Sequence, residues 1–123
     1  MPEVKWTPAQ KNAIESRNGT ILVSAAAGSG KTAVLVERVI QRIEDEKNPC
    51  PADSLLIVTF TKAATAQMRE KIAAALDKRI EQNPENEHLQ KQRMLLPFAT
   101  ISTIDSFCGE LVKENFHELG ISP

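Results

Sequence analysis

These 123 residues contain no tyrosine, and aromatics make up only 4% of them. A core with so few rings must be packed from aliphatic side chains. The two cysteines, Cys50 and Cys108, stand far apart with no C-x-x-C pair. That argues against a disulfide framework or a thiolate metal site and fits free thiols in a reducing compartment. No apolar run approaches the ~20 residues of a membrane span, and Met1 to Trp6 lack the apolar segment of a secretion signal. The expectation is a cytoplasmic protein with no membrane partner. Fifteen Lys and Arg against sixteen Asp and Glu leave a net charge of −1. The whole chain is therefore no polycation, and any contact with a polyanion must come from a local patch.

What is present reads as a globular chain, with 41% hydrophobic residues, of a length that makes one domain or part of one. Thr7-Pro8-Ala9-Gln10 starts a helix that runs to about Arg17. Thr7 suits the N-cap, Pro8 the first helical position and Gln10 the capping-box position. Asn18-Gly19 ends it. Residues 20–24 and 55–60 are continuously apolar, as strands buried in a parallel sheet tend to be. Residues 99–102 make a third short strand.

Helices follow each strand. Thr32 to Ile43 carries one apolar stripe, Val36, Val39, Ile40 and Ile43. Thr61 caps a helix with Met68, Ile72, Leu76 and Ile80 on one face. A polar stretch broken at Asn83-Pro84 holds a short helix near Leu89 to Leu96. The last helix bears Ile104, Phe107, Cys108, Leu111, Val112 and Phe116, and Gly120 closes it. This alternation predicts an α/β fold with a parallel sheet flanked by helices. Ligands then bind at the carboxyl ends of the strands, at residues 25–32, 59–62 and 102–106. His88 and His117 fall in polar segments and read as exposed, paired neither as metal ligands nor as an acid and base.

The run Ala25-Ala26-Ala27-Gly28-Ser29-Gly30-Lys31-Thr32 sits between the first strand and its helix. That is the context of a phosphate-binding loop. Successive backbone N–H groups and the positive end of the following helix offset the charge of a polyphosphate. Gly28 and Gly30 let the backbone approach it closely. Lys31 would reach the β- and γ-phosphates, and the Thr32 hydroxyl would hold Mg²⁺. Ala25 stands where the strict pattern has its first glycine. The bland alternative is a turn of small residues with a solvated lysine. The match in context favours nucleotide binding.

Three motifs in this order resemble the start of a UvrD/Rep-type superfamily 1 DNA helicase, of the kind found in AddA- and RecB-like helicase–nuclease proteins. They are Trp6 to Gln10 with Ala25 to Thr32, Val58 to Met68, and Ile101 to Cys108. The resemblance covers nearly the whole chain. It implies a P-loop NTPase (RecA-like) sheet, here incomplete, as the N-terminal part of motor domain 1A. It also implies ATP and Mg²⁺ as cofactors, single-stranded or duplex DNA as partner, and a second, AddB-like protein in the assembly. The activity it implies is an ATP-dependent helicase with exonuclease, acting in double-strand break repair and recombination.

Carried over residue by residue, Gln10 reads the adenine edge, since an amide can both donate to and accept from it. On the residues alone, Gln10 needs no ligand, because the capping box already occupies it. Phe60, Thr61 and Lys62 fall in motif Ia, and Thr103 and Ser106 in motif Ib, both of which touch DNA. Hydroxyls and helix-start N–H groups suit phosphates, and Phe60 offers a stacking face. The alternative places Phe60 in the core. Residues 62–79 carry five cations and two carboxylates, a local +3. The family commonly has Asn at Lys62, Glu at Gln67 and His at Asp105. The last departure places a carboxylate where a phosphate would lie, and Asp105 also suits the first turn of a helix.

No strand ends in the Asp-Glu pair that such motors use for Mg²⁺ and the attacking water, and neither the second motor lobe nor a nuclease domain is recognisable. The segment alone should therefore bind MgATP without turning it over. Two other readings stay open on the residues: a small P-loop nucleotide kinase, and a non-catalytic nucleotide- or DNA-binding module.

Overall fold

The structure, a computed structural model, describes residues 5–21 and 30–120. Helix α1 spans Pro8–Glu15 and α2 Lys31–Glu44. A single 3-10 turn, Ala52–Ser54, leads into strand β1, Leu56–Thr59. The long helix α3, Lys62–Gln82, is followed by α4, Glu87–Leu95, and a second 3-10 turn, Leu96–Phe98. Strand β2, Thr100–Thr103, runs directly into α5, Ile104–Glu114, and a last turn, α6, Phe116–Leu119. The architecture is α/β and mostly helical, with β1 and β2 paired in parallel, Leu56 against Thr100 through Thr59 against Thr103. The expected strand at 20–24 falls largely outside the described residues, and so do Ala25, Ala26, Ala27, Gly28 and Ser29.

The caps form as the sequence dictates. Thr7 and Gln10 exchange backbone and side-chain hydrogen bonds in a complete capping box. The side chains of Thr61, Asn86 and Thr103 accept from Ala64, Leu89 and Ser106 N–H and so cap α3, α4 and α5. Asn83 ends α3, at the break expected for Asn83-Pro84.

The core is aliphatic. Ile40 and Ile43 of α2, Ile72 and Leu76 of α3 and Leu89 of α4 meet Ile57 and Ile101, one from each strand. Burial at this scale contributes about 1.5–3 kcal/mol per large side chain. One buried polar group completes it: Gln92, 4% exposed, accepts from Ala52 N–H at 2.8 Å.

Two expectations are corrected here. Residues 55–60 are not buried on both faces. Ile57 is 8% exposed, but Leu56 and Val58 are 52% and 45% exposed, because α3 packs on the face that carries Ile57 and Ile101, and the alternate side chains turn to the other face. The stripe on α5 is likewise left without a cover, and no residue of α5 is buried. His88 is not exposed either. Its side chain is half-buried, with Nε2 2.8 Å from the Ile43 carbonyl at the end of α2.

Arg79 on α3 pairs with Glu37 and, at 3.8 Å, with Glu44, both on α2. Burial raises the Glu44 pKa; Arg79 lowers it and Glu37 raises it again. A raised carboxylate favours the folded state below its unfolded value of about 4.5, and that contribution is lost as pH rises through the folded value. Glu44→Gln should therefore raise the melting temperature at about pH 7, with the gain fading toward about pH 4. Gln92→Leu, which strands the buried Ala52 N–H, should cost about 1–3 kcal/mol. Denaturant titration would show it as a lower midpoint at unchanged slope.

Candidate functional site

The first half of the site gathers at the start of α2. Gly30 is its N-cap, with φ 86°, a left-handed backbone that glycine adopts without strain. Gly30 brings no side chain to cap this end. The first intrahelical bond runs from Val34 N–H to the Gly30 carbonyl at 3.0 Å. The N–H groups of Lys31, Thr32 and Ala33 precede it, and they are the donors a helix start offers to an anion. Lys31 and Thr32 occupy the first two helical positions and are exposed.

Gln10 comes to the same place from α1. Its Nε2 lies 3.5 Å from where a Cβ on Gly30 would sit. At the same time its Oε1 accepts from Thr7 N–H at 2.9 Å. The carbonyl end of Gln10 thus serves the cap while its amide end faces Gly30. The Gly30 to Ala33 N–H groups and Lys31 could take the phosphates of an adenine nucleotide, the Thr32 hydroxyl Mg²⁺ and an amide the base.

The second half gathers at the carboxyl ends of the strands. Parallel pairing puts Thr59 beside Thr103. The starts of two helices, α3 and α5, follow within a few residues of that pair. Phe60 lies between β1 and α3 and is 90% exposed, which removes the reading of it as core. Thr61 and Thr103 each use the side-chain oxygen as a cap acceptor, and the Thr103 hydroxyl donates to Ser106 Oγ at 2.9 Å. Lys62 opens α3 and is exposed. Asp105 is exposed in the first turn of α5.

Sequence patterns missed what holds this loop. Thr59 and Thr65 share a 2.6 Å hydroxyl contact, and both hydroxyls lie within hydrogen-bond distance of the Thr61 carbonyl, at 3.1 and 3.3 Å. Their spacing carries no motif; only the sharp turn from strand to helix brings them together. Arg69 donates to the Ile101 carbonyl at 2.8 Å and so ties α3 to β2. Arg79 is taken up by Glu37 and Glu44. Of the five cations on residues 62–79, these two serve the fold, while Lys62 stands at the site.

Residues 6–123 match the UvrD/REP helicase N-terminal domain family. The chain is 54% identical over its full length to an ATP-dependent helicase/nuclease protein of Lachnoclostridium phytofermentans, and 54% to its namesake from Clostridioides difficile. It is 57% identical over 119 residues, or 97% of the chain, to the namesake from Thermoanaerobacter sp. strain X514. The chain spans about a tenth of the length of these curated relatives: 9%, 10% and 10%.

Proposed function

Because this chain belongs to the UvrD/REP helicase N-terminal domain family, we propose that it is the N-terminal part of motor domain 1A of an ATP-dependent DNA helicase/nuclease. The seating of Gln10 against Gly30 at the start of α2 carries the reading. An amide there stands beside the donors that would take the phosphates. Gln10 selects adenine, and residues 25–32 cradle the polyphosphate of a P-loop NTPase fold. Lys31 offsets charge on the β- and γ-phosphates, and Thr32 holds Mg²⁺. Bound ATP supplies the phosphoryl group whose hydrolysis drives movement.

At the strand ends, Phe60 stacks on a base of single-stranded DNA. Thr61, Lys62, Thr103 and Ser106 meet its phosphates through hydroxyls, a cation and helix-start N–H groups. Duplex DNA is the substrate to be opened. Hydrolysis also needs an acidic pair at the end of a later strand, arginine fingers and a second motor lobe, none of which is recognisable in these residues. In the full-length protein these parts and a nuclease domain follow, a second polypeptide completes the enzyme, and its work is double-strand break repair and recombination in the cytoplasm. Support for the partner comes from the relatives' name, which describes each of them as one member of a multi-chain enzyme. Among the described residues no helix is long and apolar enough to cross a membrane. The nucleotide-kinase and non-catalytic readings have no comparable support.

Two outcomes test this. Residues 1–123 alone should bind MgATP weakly and show no sustained turnover, whereas the full-length enzyme should hydrolyse ATP and lose that activity with Lys31→Ala; phosphate-release assays decide both. Phe60→Ala in the full-length enzyme should weaken single-stranded DNA binding by about 5-fold to 150-fold, given about 1–3 kcal/mol per stacked base. Fluorescence anisotropy with an oligothymidylate at fixed salt reads it, and unchanged affinity would sink the DNA assignment of Phe60.

A further inference from the structure

Arg38 belongs to no motif, yet it is the side chain that ties α2 to the far end of α1. Its Nη1 donates to the carbonyls of Ala13, Ile14 and Ser16, at 2.9, 3.3 and 2.6 Å. These carbonyls form the C-terminal end of α1, where a helix leaves its last acceptors without intrahelical donors and carries partial negative charge. Arg17 donates to two of the same carbonyls, Ile14 at 2.8 Å and Ser16 at 3.0 Å. The site therefore holds two guanidinium groups side by side. Burial lowers the Arg38 pKa, and repulsion from Arg17 and Arg42 lowers it further. A guanidinium kept there despite those costs is matched to the carbonyls it binds. No carboxylate among the described residues pairs with it.

The consequence reaches the other end of α1. That helix has eight residues, about 12 Å of rigid rod. It runs alongside α2, with Ser16 at the Arg38 end and Gln10 at the Gly30 end. Arg38 lies about two turns along α2 from Gly30. Fixing the C-terminal end of α1 at Arg38 therefore fixes where its first turn presents Gln10. We propose that Arg38 is a positioning residue for base selection, clamping α1 so that the Gln10 amide is held over the start of α2. The inference rests on Gln10 being the adenine contact.

The test uses the full-length enzyme assembled with its partner protein, and steady-state DNA-dependent hydrolysis of ATP and of GTP. Arg38→Met keeps the aliphatic stem and removes the donors. It should raise KM for ATP about three- to tenfold, leave kcat within about twofold and leave KM for GTP unchanged. Arg38→Lys, with one donor group, should recover part of the loss. Arg38→Met combined with Gln10→Ala should be no worse than Gln10→Ala alone, because both act through one contact. If Arg38→Met keeps the ATP preference while Gln10→Ala abolishes it, or if it raises KM for both nucleotides alike, the clamp is overturned and the adenine contact stands. If Gln10→Ala keeps the preference, the adenine contact fails and the clamp with it. Should Arg38→Met not fold, Arg38→Lys carries the same comparison through a smaller rise in KM confined to ATP; an unchanged ATP preference overturns the clamp.

Discussion

The burial of one face of the β1–β2 pair beneath α3 is the constraint on which the rest of this structure depends. Ile57 and Ile101 lie side by side in the parallel register and share a core with Met68, Ile72 and Leu76 of α3. A parallel pair needs a crossover, and here α3 and α4 form it. Ile40 and Ile43 close the same core from α2. Since side chains alternate along a strand, burying Ile57 and Ile101 turns Leu56 and Val58 the other way, to the open face.

The same register builds the candidate nucleic-acid site. Pairing Thr59 with Thr103 brings two strand-to-helix turns to one edge. Each turn ends in a threonine cap, so the following helix starts are fixed relative to one another. The hydroxyl contacts of Thr59 and Thr65 then brace the chain around Phe60. The brace fixes the backbone that carries a ring 90% exposed. The open position of Phe60 has a cause in the fold, because the strand ends before it and the helix starts after it.

The candidate nucleotide side depends on a different contact, that of α1 with α2. Apolar burial contributes through Ile14, which is almost fully buried, but direction comes from hydrogen bonds. The capping box holds the first turn of α1, and Arg38 and Arg17 hold its last carbonyls. Polar contacts of this kind discriminate between orientations that hydrophobic packing would tolerate.

Local signals were legible without the fold. Thr7, Pro8 and Gln10 set the start of α1, Thr61 and Thr103 the starts of α3 and α5, and the 3.6-residue spacing of Met68, Ile72 and Leu76 the buried face of α3. Helix α2 and both described strands lie within a residue or two of where periodicity places them. Caps and stripes are legible because they depend on residues three or four apart. What needed the packed chain depends on residues far apart in sequence. The one-sided exposure of Leu56 and Val58, the open ring of Phe60 and the half-buried His88 follow from which faces neighbouring elements cover. Arg38 to Ser16 and Gln92 to Ala52 are links over 22 and 40 residues. No local pattern announces them, since a lone arginine or glutamine on a helix reads as solvated until packing supplies its acceptor or donor. The elements, their caps and the family were thus written in the order of residues, whereas the partners of Arg38, Gln92 and His88 were set by packing, because burial and long-range hydrogen bonds exist only once distant segments meet.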